Sequence, residues 1–363
     1  MHSGPSLRPL ELIKIDGGDI SWHGFGRGVL ALLALWWAWV CYAWLTNMFE
    51  TARVMQTTLI IVAMAAPLIA AIALPTAFTT GALVFGLALL AVRVINVGML
   101  FASSSRDEDG LASAIRRLAP GLLVGPALIV AAAFVASPYR ELLWVAAGAV
   151  DFGSPLVAGI SGLRVVPSYF IERHGSVIII ALGETTISLG AGQTENLRRP
   201  GVLGAVVLGV LISATLWWTY FGLTAGAEER MQRTLGVDRV RLARDAYSYL
   251  HLPLVAGIVF FALGARVSVE HIDEPLAPLA ALALTGGVAL FYAAEVAYRW
   301  RDHHQLTVDR LLTAAAALLV FPVAISVPAV LSLTDLTAIG FLRLAWELWR
   351  RPQISTGIAG AVR

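Results

Sequence analysis

Residues 81–101 read GALVFGLALLAVRVINVGMLF, an apolar run in which Arg93 is the single charged residue. A bilayer core about 30 Å thick needs ~20 mostly apolar residues in a helix. In hydrocarbon only a helix or a closed barrel satisfies every backbone hydrogen bond. This run therefore predicts a membrane-spanning helix with one arginine at its middle.

Comparable apolar runs recur along the whole chain. Ten of them predict spans at Gly28 to Leu45, Thr57 to Leu74, Gly81 to Phe101, Leu118 to Ala136, Glu141 to Ile160, Ser176 to Gly192, Leu203 to Ala225, Tyr249 to Ala265, Pro278 to Tyr298 and Leu311 to Leu333. The later stretch Thr337 to Trp349 carries charges and two tryptophans, which predicts a short interfacial helix. We therefore expect an all-α, polytopic transmembrane helical bundle of about ten spans.

The composition agrees with a membrane protein. Hydrophobic residues make up 58% of the chain and charged residues 14%, against about 25% charged in a soluble domain. The basic residues lie in short loops between apolar runs, which argues against nucleic acid as a partner. Cys41 is the single cysteine, so neither a disulfide nor a cysteine metal site is expected within one chain, and we predict no metal and no cofactor. We expect a polar segment over 1–27, one transmembrane domain over 28–350 and a tail over 351–363, placed in the cell's inner (plasma) membrane.

An ionisable side chain inside a span costs several kcal/mol and is a functional candidate by default. Asp151 ranks first, because Pro155 has no N–H to donate to the carbonyl of Asp151. A carboxylate and a freed carbonyl at one depth are what broken transporter helices use to bind a cation or a proton. The alternative is a salt bridge from Asp151 to Arg93 that fixes helix packing.

Glu184 is the second buried carboxylate, beside Gly183 and one turn before Ser188. Because Arg93 is the only arginine at mid-span, it neutralises one carboxylate, and the other must be protonated or bind a cation. The alternative is a protonated glutamate that bonds to a serine and holds two helices together.

The triplet Glu172, Arg173 and His174 stands just before the sixth predicted span. An acidic residue near a helix N-terminus suits the helix dipole, so capping and interface anchoring explain Glu172. His174 is either a proton shuttle or a solvated interfacial histidine.

Tyr247 and His251 are spaced i, i+4 at the entry of the eighth span, with Asp245 just upstream. Such spacing on an α-helix puts the phenol and the imidazole on one face, for function or for packing. Glu295 lies four residues before Arg299 near a helix end, and an interfacial ion pair explains both.

These residues carry a family resemblance. Glu172-Arg173-His174-Gly175 followed by Ile180-Ala181-Leu182-Gly183-Glu184 resembles the signature of the bacterial low temperature requirement protein A family, and further matches are Trp36-Trp37-Ala38-Trp39-Val40, Arg93, Asp151, Arg244-Asp245-Ala246-Tyr247 and Leu250-His251-Leu252-Pro253. The resemblance implies an integral membrane protein linked by name to growth in the cold, without a settled activity. Family members place a phenylalanine-rich span with an aspartate directly after a leucine-glutamate-leucine turn. Here Leu10-Glu11-Leu12 leads into Ile13-Lys14-Ile15-Asp16-Gly17-Gly18, so we expect the family's first helix to be missing.

The leading hypothesis is a transporter or channel for an ion or small solute, with proton coupling as one form. It places Asp151, Glu184 and Arg93 at the centre, because buried carboxylates outnumber buried bases in the predicted spans. A membrane-embedded enzyme acting on a lipid or isoprenoid through a carboxylic acid is one alternative. A non-catalytic stress or scaffold protein is the other. The expected partners are membrane lipid and an unidentified small solute, ion or lipid substrate, and assembly of identical chains stays open.

Overall fold

The computed structural model describes residues 21–47, 65–104, 110–190, 200–224 and 226–350. Its helices are α1 (Trp22–Asn47), α2 (Ala65–Ala73), α3 (Ala82–Ser104), α4 (Leu111–Ala132), α5 (Tyr139–Val157), α6 (Pro167–Gly190), α7 (Pro200–Thr224), α8 (Ala227–Arg233), α9 (Gly236–Leu242), α10 (His251–Glu270), α11 (Pro278–His303), α12 (Val308–Leu319), α13 (Phe321–Ala324) and α14 (Ala329–Arg350). A π-helical turn, Ala243–Tyr249, joins α9 to α10. None of the described residues forms a strand, which confirms the all-α fold class.

Seven helical stretches of the described chain are long and apolar enough to cross a bilayer. They are Trp22–Asn47, Ala82–Ala102, Leu111–Ala132, Gly201–Arg233, Gly236–Glu270, Pro278–Asp302 and Ala329–Arg350. Two further helices, α5 and α6, have 19 and 24 residues and contain the predicted candidates Asp151 and Glu184. At ~1.5 Å per residue both reach roughly the thickness of a bilayer core.

Several predicted spans differ from the observed helices at their ends. The first helix begins at Trp22, six residues before the predicted start at Gly28. The sixth begins at Pro167, so the triplet Glu172 to His174 lies inside α6 and not before it. The first part of the predicted span Thr57 to Leu74, residues 57–64, lies outside the described residues, as do residues 1–20 and the tail, and its second part forms α2.

The last predicted span is the clearest correction. Leu311 to Leu333 is not one helix, because α12 ends at Leu319, α13 is a single turn and α14 starts at Ala329. Pro322 and Pro328 lie in this interruption, and proline removes a helical hydrogen bond and clashes with the preceding turn. The predicted interfacial helix Thr337 to Trp349 is instead the second part of α14, which is long enough to span.

The loop between α10 and α11 satisfies the backbone at this interruption. Leu276 N–H donates to the Ala324 carbonyl at 2.9 Å, and Ala329 N–H donates to the Glu274 carbonyl at 2.9 Å. Buried backbone groups need such partners, since each unpaired group costs free energy comparable to a lost hydrogen bond. Backbone hydrogen bonds from the α10–α11 loop thus stabilise the interruption between α12 and α14.

The described residues fall into two compact units. The first contains the described residues up to His174 and Gly226–Ser248, and the second contains residues 175–224 and 249–350. Whether they act as one transmembrane domain over 28–350 stays a prediction.

Glycines set the helix packing inside each unit. In the first unit, a Cβ at Gly121 of α4 would lie 2.0 Å from Ser154 Oγ of α5. In the second, a Cβ at Gly264 of α10 would lie 2.3 Å from the backbone nitrogen of Leu284 on α11, and one at Gly287 would lie 2.3 Å from Phe261 N. Small residues let helix backbones approach closely where no hydrophobic effect drives association.

We expect Gly264→Ala to lower the free energy of unfolding by about 1–3 kcal/mol, because the added methyl group meets main chain that does not rotate away. The measurement is the unfolding midpoint in mixed micelles. Gly204→Ala on α7 is the matched control, since nothing lies within 4 Å of its Cβ position. Equal midpoints for the two variants would contradict this account of the α10–α11 contact.

Candidate functional site

Arg93 of α3 and Asp151 of α5 form a buried ion pair in the first unit. Arg93 Nη2 lies 3.1 Å from Asp151 Oδ2, and their side chains are 3% and 4% exposed. Arg93 also donates from Nη1 to the Sγ atom of Cys41 on α1. The salt bridge to Arg93, which was one of the two alternatives for Asp151, is thus present in the structure.

The second carboxylate oxygen of Asp151 is the unusual feature of this pair. Oδ1 is buried and has no hydrogen-bond partner among the described residues. Gly125 of α4 faces it so closely that a Cβ there would lie 2.5 Å from Oδ1. A buried acceptor without a donor costs roughly 1–3 kcal/mol, so a proton or a cation at Oδ1 would be stabilised.

Asn96 fastens the same region and had no role in the sequence analysis. Its Nδ2 donates to the Cys41 carbonyl at 2.9 Å, one turn along α3 from Arg93. Two side chains of α3 therefore donate hydrogen bonds to Cys41 of α1: Asn96 to its backbone carbonyl and Arg93 to its sulfur. This arrangement fixes the direction from which Arg93 reaches Asp151.

Pro155 does not break α5. The helix runs from Tyr139 to Val157 with the proline inside it, so the expected interruption beside Asp151 is absent. A proline near the end of a helix removes one hydrogen bond without needing to end the helix at once. A proline-associated interruption occurs instead between α12 and α14.

Glu184 is only partly buried on α6 and belongs to the second unit. The Ser188 hydroxyl donates to the Thr185 carbonyl at 2.8 Å, so its proton is already committed to the helix backbone. Serine and threonine often bond back to the preceding turn in this way. The structure thus brings Asp151 and Arg93 together and places Glu184 in a different unit.

The triplet residues have three different environments. Glu172 is exposed, and the guanidinium of Arg173 lies over the ring of Tyr169 at 4.5 Å. His174 is fully buried, which corrects the view of it as a solvated interfacial group. Its Nδ1 lies 2.8 Å from the Phe170 carbonyl, and its ring contacts Trp39, Phe170 and Tyr247 at centroid distances of 4.6–5.0 Å.

Tyr247 and His251 do not follow the expected α-helical spacing. The turn through Tyr247 is π-helical, so an i, i+4 pair no longer aligns as it does on an α-helix. Tyr247 contacts Phe170 and His174 in the first unit, whereas His251 Nε2 lies 3.0 Å from the Tyr220 hydroxyl in the second. Asp245 pairs with its neighbour Arg244 at 2.7 Å.

Two tryptophans of α1 hold the π-helical turn. Trp36 Nε1 donates to the Ser248 carbonyl at 2.8 Å, and Trp44 Nε1 donates to the Ser248 hydroxyl at 2.9 Å. A π-helical turn disturbs the regular backbone ladder, and an indole N–H supplies a donor for the carbonyl there. Tryptophans inside the predicted first span thus have a polar partner within the helix bundle.

A second charged cluster, which the sequence analysis did not find, lies in the second unit. Glu295 of α11 is fully buried, and both Arg299 and Arg310 donate to its Oε1 atom, the first at 3.1 Å. Arg343 and Glu347 of α14 form an i, i+4 pair at 2.8 Å, and Arg310 Nη2 lies 3.8 Å from Glu347 Oε2. We call these five residues the arginine cluster. The predicted pair of Glu295 and Arg299 is therefore present, but Arg310 is a further partner of Glu295 that the sequence did not reveal.

The arginine cluster also changes the balance of buried charge. Among the described residues, the buried arginines are Arg93, Arg299, Arg310 and Arg343, and the buried carboxylates are Asp151 and Glu295. The expected excess of buried carboxylates over buried bases is therefore reversed. The sequence signal that was available is the spacing of Arg343 and Glu347, which puts both on one face of a helix.

The sequence profile of the bacterial low temperature requirement A protein family matches residues 17–345. The chain belongs to this family. An uncharacterised protein of Rhizobium meliloti (strain 1021) is 27% identical over 294 residues, which cover 78% of this chain and 71% of that protein. No solved structure matches the chain. As a low temperature requirement A protein, it is a multi-span membrane protein.

Gly125 offers a direct test of the Asp151 site in this low temperature requirement A protein. We expect Gly125→Ala to lower the free energy of unfolding by about 1–3 kcal/mol, because the methyl group overlaps the carboxylate. In the background of Asp151→Ala the same change should cost much less, since the overlapping atoms are gone. A double-mutant cycle of unfolding midpoints measures this coupling.

Gly148→Ala is the control, because it lies on α5 and nothing is within 4 Å of its Cβ position. Additive effects of Gly125→Ala and Asp151→Ala would show that the two residues are not in contact.

Proposed function

We propose that this low temperature requirement A protein is a transporter or channel of the plasma membrane for an ion or small solute, with Asp151 as its ion-binding or proton-binding carboxylate. One observation carries the proposal: Asp151 is buried, Oδ2 pairs with Arg93, and Oδ1 faces Gly125 without a partner among the described residues. Intramembrane carboxylates of this kind mark ion and proton pathways.

The pair provides two states with different helix contacts. With Asp151 ionised, the attraction to Arg93 joins α5 to α3. When a proton or a cation neutralises Asp151, that attraction falls and Arg93 keeps its bond to Cys41 on α1. Ion binding at Asp151 is thereby coupled to the contact between α3 and α5, and an ion shifts such an equilibrium by its difference in affinity for the two states.

Glu295 is a weaker candidate for the same role. It is equally buried, but two arginines donate to its Oε1 atom. A cation at Glu295 would have to compete with both of these guanidinium groups for the carboxylate. At Asp151 a proton or a cation competes with one guanidinium group instead of two.

The test is the flux of protons and simple cations into proteoliposomes that carry the purified protein. We expect Asp151→Asn to lower the flux about tenfold or more, because an amide cannot gain or lose a proton and binds cations poorly; a factor of ten corresponds to ~1.4 kcal/mol. The flux through the Asp151→Asn variant should also no longer depend on a pH difference across the membrane. Unfolding midpoints are recorded in parallel to show that the variant is folded.

Glu141→Gln is the matched control. Glu141 lies on the same helix and pairs with Arg27 at 2.6 Å, but its side chain is 20% exposed. Its flux should stay within about twofold of wild type, since water reaches this partly exposed ion pair near the start of α5 and screens it. Wild-type flux that exceeds empty liposomes and survives in folded Asp151→Asn would remove Asp151 from the transport site, and wild-type flux equal to that of empty liposomes would reject transport of these ions.

A further inference from the structure

The arginine cluster contains more hydrogen-bond donors than its carboxylates use. Arg299 Nη2, Arg310 Nη2 and Arg343 Nε are buried and have no hydrogen-bond partner among the described residues. The arginines that carry these atoms are 6%, 4% and 5% exposed. A buried guanidinium that keeps a donor unpaired loses its hydration without full compensation.

Shared carboxylates bring the three guanidinium groups together. Arg299 and Arg310 meet at Glu295 Oε1, and Arg310 and Arg343 meet at Glu347 Oε2. Arg310 thus stands between the other two. The unpaired donors therefore belong to one group of side chains and not to three separate places.

The net charge of the arginine cluster favours an anion. Three arginines face Glu295 and Glu347, and a third carboxylate, Asp309, reaches Arg310 Nη1 at 3.4 Å from a position that is 35% exposed. Since a partly exposed carboxylate is screened by water, it offsets a buried guanidinium only in part. The buried portion of the cluster is thus positively charged.

The cluster also contains one unpaired acceptor. Glu295 Oε2 has no hydrogen-bond partner among the described residues. A ligand that suits the site therefore has several oxygens to accept from guanidinium groups and a hydroxyl to donate to Glu295. Phosphate groups match guanidinium forks and bind them bidentately.

The position of the cluster along the helices fits the level of lipid headgroups. Glu295 and Arg299 lie in the last turns of α11, Arg310 lies in the first turn of α12, and Glu347 lies near the end of α14. The α7 residue that accepts from Arg343, Thr219, is also near a helix end. Basic pockets between spanning helices at this level bind anionic headgroups.

We propose that the arginine cluster of the second unit binds a phosphate group, supplied by an anionic lipid headgroup or by free phosphate. Arg299, Arg310 and Arg343 donate to the phosphate oxygens, and Glu295 accepts from a hydroxyl of the ligand. The partly exposed side of Glu347 and Asp309 is the side from which the ligand enters. This site is separate from Asp151 and does not depend on the proposed transport.

The experiment measures the unfolding midpoint of purified protein in a neutral detergent as ligand is added. One arm titrates inorganic phosphate against sodium chloride at equal ionic strength. The other arm titrates short-chain phosphatidylglycerol against phosphatidylcholine of the same chain length. A saturable rise with phosphatidylglycerol alone identifies a lipid headgroup, and a saturable rise with inorganic phosphate identifies free phosphate, because a ligand that binds only the folded state stabilises it.

Two variants with opposite expected effects on ligand affinity distinguish an anion-binding site from a purely structural network. Arg343→Gln removes a donor and a positive charge, so the half-saturating ligand concentration should rise roughly tenfold or more. Glu347→Gln removes a negative charge from the same helix, so that concentration should fall several-fold. Arg266→Gln is the control, since Arg266 pairs with Glu270 on α10 at 3.0 Å away from the cluster and should leave the titration unchanged.

Glu347→Gln keeps the size of the side chain, so it decides the matter even when the arginine variant does not fold. Tighter binding in Glu347→Gln supports the site. Weaker or unchanged binding in Glu347→Gln, or the absence of a saturable response to both ligands in the wild type, overturns it.

Discussion

The requirement that charges inside the helices be paired governs this structure. Arg93 and Asp151 are nearly inaccessible to solvent, and each would be costly alone in a bilayer core. Their contact joins α3 to α5, while Arg93 and Asn96 tie α3 to Cys41 of α1. Because Gly125 has no side chain, the Asp151 carboxylate fits between α4 and α5. The spacing of these two helices is thus matched to one ion pair.

The two units meet this requirement in different ways. In the first, Arg93 faces Asp151, and both Asp151 Oδ1 and Arg93 Nε lack a hydrogen-bond partner among the described residues. In the second, several arginines share the oxygens of Glu295 and Glu347, and three guanidinium donors lack a partner beside one acceptor, Glu295 Oε2. A spare acceptor favours a proton or a cation, whereas spare donors favour an anion. The excess of unpaired donors in the second unit therefore favours an anion, whereas in the first unit the unpaired oxygen opposite Gly125 is the group available to a proton or a cation.

The sequence predicted the parts of this structure that follow from composition and local spacing. Apolar runs identified the spans, and the scarcity of charges inside them singled out Arg93 and Asp151, which do meet. It did not predict the interruption at Pro322 and Pro328, because the backbone partners there come from the α10–α11 loop. Nor did it predict the arginine cluster, since Arg310 and Arg343 were placed in a loop and an interfacial helix and only the fold brings them to Glu295. The π-helical turn was missed because its partners are tryptophans of α1, remote in sequence.

A purely structural role explains the Arg93–Asp151 pair poorly. Well-packed apolar residues of similar volume often stabilise a protein as well as a buried ion pair does, because the pair must first be removed from water. Here the desolvation is not even fully compensated, since Asp151 Oδ1 accepts no hydrogen bond from the described residues. A helix contact alone does not require an unsatisfied oxygen opposite a glycine, whereas a site that takes up and releases a proton or an ion requires an acceptor that is free in one state. The incomplete satisfaction of Asp151 is therefore the strongest physical argument that this pair has a function beyond packing.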